Sequence, residues 1–133
     1  MDKGGNLKEA LKGISAPKLL LLMSNAKQFE QHVEELEKAF PGVPSIGCIG
    51  GSYSGQTVQA DDGVAVVALE GNLTVAANVL EQASTMPVKY IGRLETDLDT
   101  VKASENNTVC FDFCTGNDAC VLTKIYSVLG RRK

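Results

Sequence analysis

The feature that most constrains the fold is the segment KLLLLMS at residues 18–24, which is apolar on both faces of a strand. Strands of this kind are typical of parallel sheets that helices cover on both sides. Its uninterrupted apolar stretch is only five residues long, and a membrane-spanning helix needs roughly 20. The segment therefore predicts a buried strand ending at Ser24 and Asn25, and no membrane insertion.

Residues 26–40 carry the clearest helical pattern in the chain. Apolar side chains recur at helical spacing, at Phe29, Val33, Leu36 and Phe40. Asn25 is the predicted N-cap, with Gln28 three residues later, and the Pro-Gly pair at 41–42 ends the helix. His32 falls on the polar flank of this pattern, so we expect it to be an exposed helix residue rather than a catalytic base.

Strand, helix and strand follow one another, because residues 43–48, VPSIGC, form a second apolar run. This order predicts a parallel strand pair joined by a crossover helix. The remaining predicted elements are a leading helix at 7–14, an antiparallel hairpin of strands 63–69 and 73–79, a short strand at 88–91, a helix at 94–104, a turn at 106–107, a strand at 108–115 and a final helix from 117.

These elements predict an α/β fold with a mixed β-sheet, containing a parallel βαβ unit and an antiparallel hairpin, with helices packed on the sheet. The length of 133 residues, 44% hydrophobic and 22% charged, fits one globular domain. We expect residues 1–133 to be a single domain, cut from a larger one, since the last strand–helix unit has no returning strand.

Charge and cysteine content exclude some function classes. The net charge of −3 argues against nucleic-acid binding through phosphate neutralisation. The amino terminus lacks the apolar region of a signal peptide, so we expect a cytoplasmic protein with reduced thiols. The spacing Cys110-x3-Cys114-x5-Cys120 fits no common metal site, and we expect neither a metal nor a cofactor.

The segment IGCIGGSYSG at residues 46–55 is the most unusual stretch. It misses the nucleophile elbow G-x-S-x-G by one residue, and it lacks the lysine of a phosphate-binding P-loop. Two interpretations stay open: a turn that glycine permits, or a ligand-contacting loop at the carboxyl end of a parallel strand, where open α/β sheets bind ligands. Asp112, between two aromatic residues, lies either at a solvated sheet edge or in a site.

The run PKLLLLMSNAKQFEQHVEELEKAFPGVPSIGCIGGSYSG resembles the start of the FIST domain, and CFDFCTGNDACVLTKIYSVLG resembles a later segment of that family. The resemblance implies a non-catalytic, intracellular sensory domain of a bacterial signal-transduction protein, such as the amino-terminal part of a chemotaxis-type transducer. It implies a small-molecule ligand such as an amino acid, and an output signalling domain as partner. A homodimer is left open.

The resemblance also implies two groups of ligand-binding residues at the carboxyl ends of strands, which would share one crevice. They are Gly47, Cys48, Gly50, Gly51 and Ser52 in the first group, and Asp112, Thr115, Gly116 and Asn117 in the second. Two alternatives remain: an enzyme with Cys48 as nucleophile and His32 as its only imidazole base, or a protein-interaction module that docks a partner through an apolar surface.

Overall fold

The computed structural model describes residues 1–50, 53–54, 57–58, 62–83, 85 and 88–114. Its elements in chain order are α1 (Leu7–Ala10), β1 (Pro17–Ser24), α2 (Phe29–Ala39), β2 (Ser45–Ile49), β3 (Tyr53–Ser54), β4 (Thr57–Val58), β5 (Val64–Glu70) and α3 (Val88–Thr100). Two compact units divide the chain between Val75 and Ala76. The first unit contains the five strands with α1 and α2, and the second contains α3.

The main sheet has the order β2-β1-β5, with β1 in the centre. Strand β1 pairs in parallel with β2, with Met23 opposite Cys48, and antiparallel with β5, with Ser24 opposite Val64. Helix α2 connects the two parallel strands, so the predicted βαβ unit is confirmed. The predicted α/β fold with a mixed sheet is confirmed as well.

The core explains why β1 is apolar on both faces. Leu20 and Leu22 are each 1% exposed and belong to a cluster that also contains Leu7 and Ala10 of α1 and Leu36 of α2. On the opposite face of β1, Leu19 and Leu21 are also buried. From Leu19 to Leu22 the strand is buried on both faces and carries no polar residue, and Ser24 and Asn25 follow at its end.

The predicted hairpin of strands 63–69 and 73–79 is wrong in its second strand. Residues 73–80 form neither helix nor strand, and Leu73 and Val79 are exposed. Strand β5 instead pairs with β1, which comes more than 40 residues earlier in the chain. The apolar residues after Gly71 alternate like a strand, but local alternation does not show which strand edge is available.

The predicted strand at residues 88–91 is wrong, because these residues open α3. Tyr90 is the buried residue of this helix, and its hydroxyl donates to the carbonyl oxygen of Glu81. Tyr90, Leu94 and Leu98 are four residues apart and share one helix face. The helical period therefore overrides the β-branched residues at its start. No helix within the described ranges is long and apolar enough to cross a membrane.

The predicted strand at residues 108–115 is wrong over the part that the structure describes. Residues 108–114 lie outside any strand, and Phe111 and Phe113 are each exposed. A strand needs a neighbouring strand to satisfy its backbone groups, and alternation in sequence does not supply one. The turn at 106–107 is confirmed, whereas the predicted helix from 117 and Cys120 fall outside the described residues.

Candidate functional site

Polar side chains gather where β1 ends, at the edge of the sheet that α2 covers. Ser24, Asn25 and His32 are all buried, and they are the polar residues that interrupt the core. Together with Gln28 they form what we call the β1-end cluster. Every buried side-chain nitrogen or oxygen in the described part of the chain has a hydrogen-bond partner, so the cluster is fully bonded.

His32 is buried, with 1% of its surface exposed, and the expectation of an exposed helix residue is therefore wrong. The buried residues of α2 are His32 and Leu36, whereas Val33 is 38% exposed. Positions 32 and 36 are four residues apart, and position 29 lies three before His32, so these three residues share a face. The spacing of these three residues is present in the sequence. Val33 also lies four residues after Phe29, so the apolar pattern predicted Val33 rather than His32 on the buried face.

Both ring nitrogens of His32 are bonded. Nε2 lies 2.9 Å from the carbonyl oxygen of Gly5, and Nδ1 lies 2.8 Å from the Oγ atom of Ser24. Because a carbonyl oxygen can only accept, Nε2 is the nitrogen that carries a hydrogen. The Oγ atom of Ser24 also lies 3.0 Å from the carbonyl oxygen of Asn25, so its one hydrogen serves either that oxygen or Nδ1. The two contacts of the ring fix the orientation of the imidazole.

Asn25 connects the start of α2 to the loop before β5. Its Oδ1 accepts from the backbone N–H of Gln28 at 2.9 Å, in the turn that precedes α2. The prediction of Asn25 as N-cap is wrong, because α2 begins at Phe29 and its N-cap residue is Gln28. Its Nδ2 donates to the carbonyl oxygens of Asp62, at 2.9 Å, and Gly63. A single amide side chain thereby holds two segments that are far apart in sequence.

The first residues of the chain also lie at this edge. Asp2 exchanges two backbone hydrogen bonds with Val64, at 2.8 and 2.9 Å. Gly5 has a φ of 79° and is buried. A Cβ atom on Gly5 would lie 2.4 Å from the Oε1 atom of Gln28 and 2.5 Å from the carbonyl oxygen of Asp62, so only glycine fits there.

Three predicted site residues lie on or just after β2. A Cβ atom on Gly47 would lie 3.4 Å from Phe29 of α2 and from Leu22, so this glycine lets the helix approach the sheet. Gly50 donates its backbone N–H to the carbonyl oxygen of Ser24 at 3.1 Å, and the space beside its Cα is open. Gly51 and Ser52 fall outside the described residues.

Cys48 is half-buried and points away from His32. Alternate residues of a strand point to opposite faces. Since Gly47 faces α2, Cys48 faces the other side of the sheet, while His32 lies on the α2 side and bonds Ser24. The geometry does not bring the thiol and the imidazole together as nucleophile and base.

The Gly-rich segment continues into a short hairpin, in which Tyr53 pairs with Val58 and Ser54 with Thr57. A nucleophile elbow needs a helix directly after the turn, and a strand pair follows here instead. The contact of this segment with a ligand stays a prediction.

The second predicted group is described only at Asp112. This residue is exposed and lies in the second unit, with one carboxylate oxygen 3.6 Å from the thiol sulfur of Cys110. Thr115, Gly116 and Asn117 fall outside the described residues, and the shared crevice stays a prediction. Among the described residues there is no cluster of three or more His, Cys, Asp or Glu side chains that could hold a metal ion.

Comparison with known proteins gives one match. The family model of the FIST N domain matches residues 18–133, which is most of the chain. No curated protein and no solved structure matches it. The matched range begins at Lys18, the second residue of β1, and includes the β1-end cluster and the Gly-rich segment, whereas residues 1–17 lie before it.

Proposed function

Since this chain belongs to the FIST N domain family, we propose that it is the non-catalytic sensory domain of a bacterial cytoplasmic signal-transduction protein and binds a small metabolite such as an amino acid. The family is one of signal-transduction sensory domains. The family match across residues 18–133 is the observation that carries the proposal. A ligand that stabilises one conformation of such a domain is read by an output domain in the complete protein.

The carboxyl edge of the parallel pair β1–β2 is the proposed ligand site. Open α/β sheets bind ligands beyond the carboxyl ends of their strands, and β2 runs there into Gly50 and the Gly-rich segment. The proposed contacts from this side are Gly47, Cys48, Gly50, Gly51 and Ser52. The second group, Asp112, Thr115, Gly116 and Asn117, is proposed from the family resemblance alone.

A non-catalytic role agrees with the bonding of the two residues that an acyl-transfer enzyme would use. The ring nitrogens of His32 are both engaged inside the protein. The thiol of Cys48 lies on the other face of the sheet. With the chain's one histidine on the opposite face, the thiol lacks the imidazole base that commonly activates a nucleophilic cysteine.

The test is a thermal-shift screen of the purified chain against the common amino acids and related metabolites. A specific ligand at about 100 times its dissociation constant adds about 2.7 kcal/mol of stability, a shift that is easily measured. A panel in which no compound stabilises the protein in a saturable way would contradict the proposal.

A pair of glycine variants tests whether the bound compound lies beside β2. Gly50→Ala places a methyl group in open space at the proposed site, and Gly92→Ala does the same on the exposed face of α3. We expect Gly50→Ala to weaken ligand binding about ten-fold, and Gly92→Ala to leave it unchanged. Equal affinities for both variants would place the ligand elsewhere.

A further inference from the structure

We propose that the end of β1 is a binding site for a glycine-containing peptide that pairs with Val64 through one residue and then turns, and that this chain occupies the site with its own residues 2–5. We call residues 1–6 the N-terminal strap. The proposal is independent of the sensory function, since it concerns a main-chain site beside His32 rather than a metabolite site beside β2. Three kinds of contact define the peptide that fits.

The first contact is a strand-addition contact at Val64. The backbone N–H and carbonyl groups of Asp2 and Val64 exchange hydrogen bonds of 2.8 and 2.9 Å in antiparallel orientation. Adding a segment to an exposed strand edge is a common mode of peptide recognition, in which main-chain hydrogen bonds provide affinity. This contact uses only main-chain groups of Asp2, while its carboxylate accepts from the backbone N–H of Asn6 at 2.8 Å and so holds the turn.

The second contact captures a peptide carbonyl. The Nε2 atom of His32 donates to the carbonyl oxygen of Gly5 at 2.9 Å, and Ser24 holds the other ring nitrogen at 2.8 Å. The donor is buried and its direction is set by the serine, so it is preorganised for one carbonyl at one position. Preorganisation of this kind reduces the entropy lost on binding.

The third contact selects glycine. A Cβ atom at position 5 would overlap Gln28 and the backbone of Asp62, at 2.4 and 2.5 Å. At Gly4, by contrast, a Cβ atom would lie 3.4 Å from the nearest atom, the Oδ2 atom of Asp2, which is ordinary contact. The site therefore accepts a peptide with glycine three residues after the residue that pairs with Val64, and it tolerates a side chain just before that glycine.

The strap contacts β5 and α2 through main-chain groups of Asp2 and Gly5. Met1, Lys3, Gly4 and Asn6 are exposed, and buried apolar side chains begin only at Leu7. The strap also lies before residues 18–133, the range shared with the family. A segment held by a few main-chain contacts opens readily, and a peptide with the same backbone can then replace it.

The test uses the full chain and two synthetic hexapeptides, MDKGGN and MDKGAN. In the Gly5→Ala chain the added methyl group keeps the strap from binding, so the site is vacant. By NMR titration of the Val64 amide and the His32 ring, we expect this variant to bind MDKGGN about ten times more tightly than MDKGAN. We expect neither peptide to shift the wild-type or Gly4→Ala chain, because their own straps compete at millimolar effective concentration.

Tryptic cleavage after Lys3 provides a second measurement on the same chains. Cleavage follows the fraction of molecules with the strap open, so Gly5→Ala should be cut there about ten times faster than wild type, and Gly4→Ala at the wild-type rate. Should Gly5→Ala fail to fold, Asp2→Pro replaces it, because proline lacks the N–H that bonds Val64. Equal binding of the two peptides, no saturable binding, or equal cleavage of all variants would overturn the proposal.

Discussion

His32 joins three segments of the first unit through one side chain. Its ring bonds Ser24 at the end of β1 and Gly5 in the N-terminal strap, and the ring itself is carried by α2. Buried polar groups are tolerated only when they are hydrogen-bonded, so each of the three depends on the others. The residue is a structural connector at the edge where a ligand would bind.

Replacing His32 by alanine should lower the free energy of unfolding by about 3 kcal/mol. The change removes a buried ring and leaves the carbonyl of Gly5 without its donor. Urea denaturation of the variant measures the loss. Gln31→Ala is the matched control, because Gln31 is the exposed neighbour on the same helix, and it should stay within about 0.5 kcal/mol of wild type. Equal losses for both variants would contradict the structural role of the ring.

At the scale of elements, the distance between α2 and β2 depends on Gly47. Gly47→Val should lower the free energy of unfolding by about 1–3 kcal/mol, because the added methyl groups press on Phe29 and Leu22. Gly50→Val is the control three residues later on the same segment, where the space is open and a smaller loss is expected. Thermal unfolding of both variants measures the difference, and an equal loss would show that packing under α2 does not require glycine.

Two glycines with open space around them, one in each unit, offer a comparison. Gly92 is in the middle of α3, and Gly92→Ala should stabilise the protein by about 1 kcal/mol because alanine loses less backbone entropy in a helix. Gly71, after β5, has a φ of 104°, so Gly71→Ala should destabilise it by about 1–2 kcal/mol through backbone strain. Calorimetric unfolding of the two variants should give opposite signs; the same sign in both would contradict this explanation.

For the whole molecule, the position of β1 predicts how stability is distributed. This strand is bonded on both sides and buried on both faces, whereas residues 73–80 form neither helix nor strand. Amide hydrogen exchange should therefore be at least about 100-fold slower in β1 than in residues 73–80. Exchange followed by mass spectrometry measures it, and comparable rates in the two segments would contradict a core centred on β1.

The sequence by itself determined the elements that a local pattern of apolar residues defines. The run at residues 18–24 is apolar on both faces and became the central strand, and the pattern at 26–40 became α2 over Phe29–Ala39, although its N-cap was not the predicted one. The parallel pairing of β1 and β2 followed from their order around a helix. The carboxyl edge as the candidate region followed from the same order, although its individual residues did not.

Tertiary structure decided whatever depends on a distant partner. Strand β5 pairs with β1 rather than with residues 73–79, because β1 offers a buried edge that local alternation cannot reveal. His32 is buried because Ser24 and Gly5, at distances of 8 and 27 residues in sequence, satisfy its ring nitrogens. Periodicity and capping are local properties that a sequence displays, whereas the satisfaction of a buried polar group or a strand edge is set by residues that only the fold brings near.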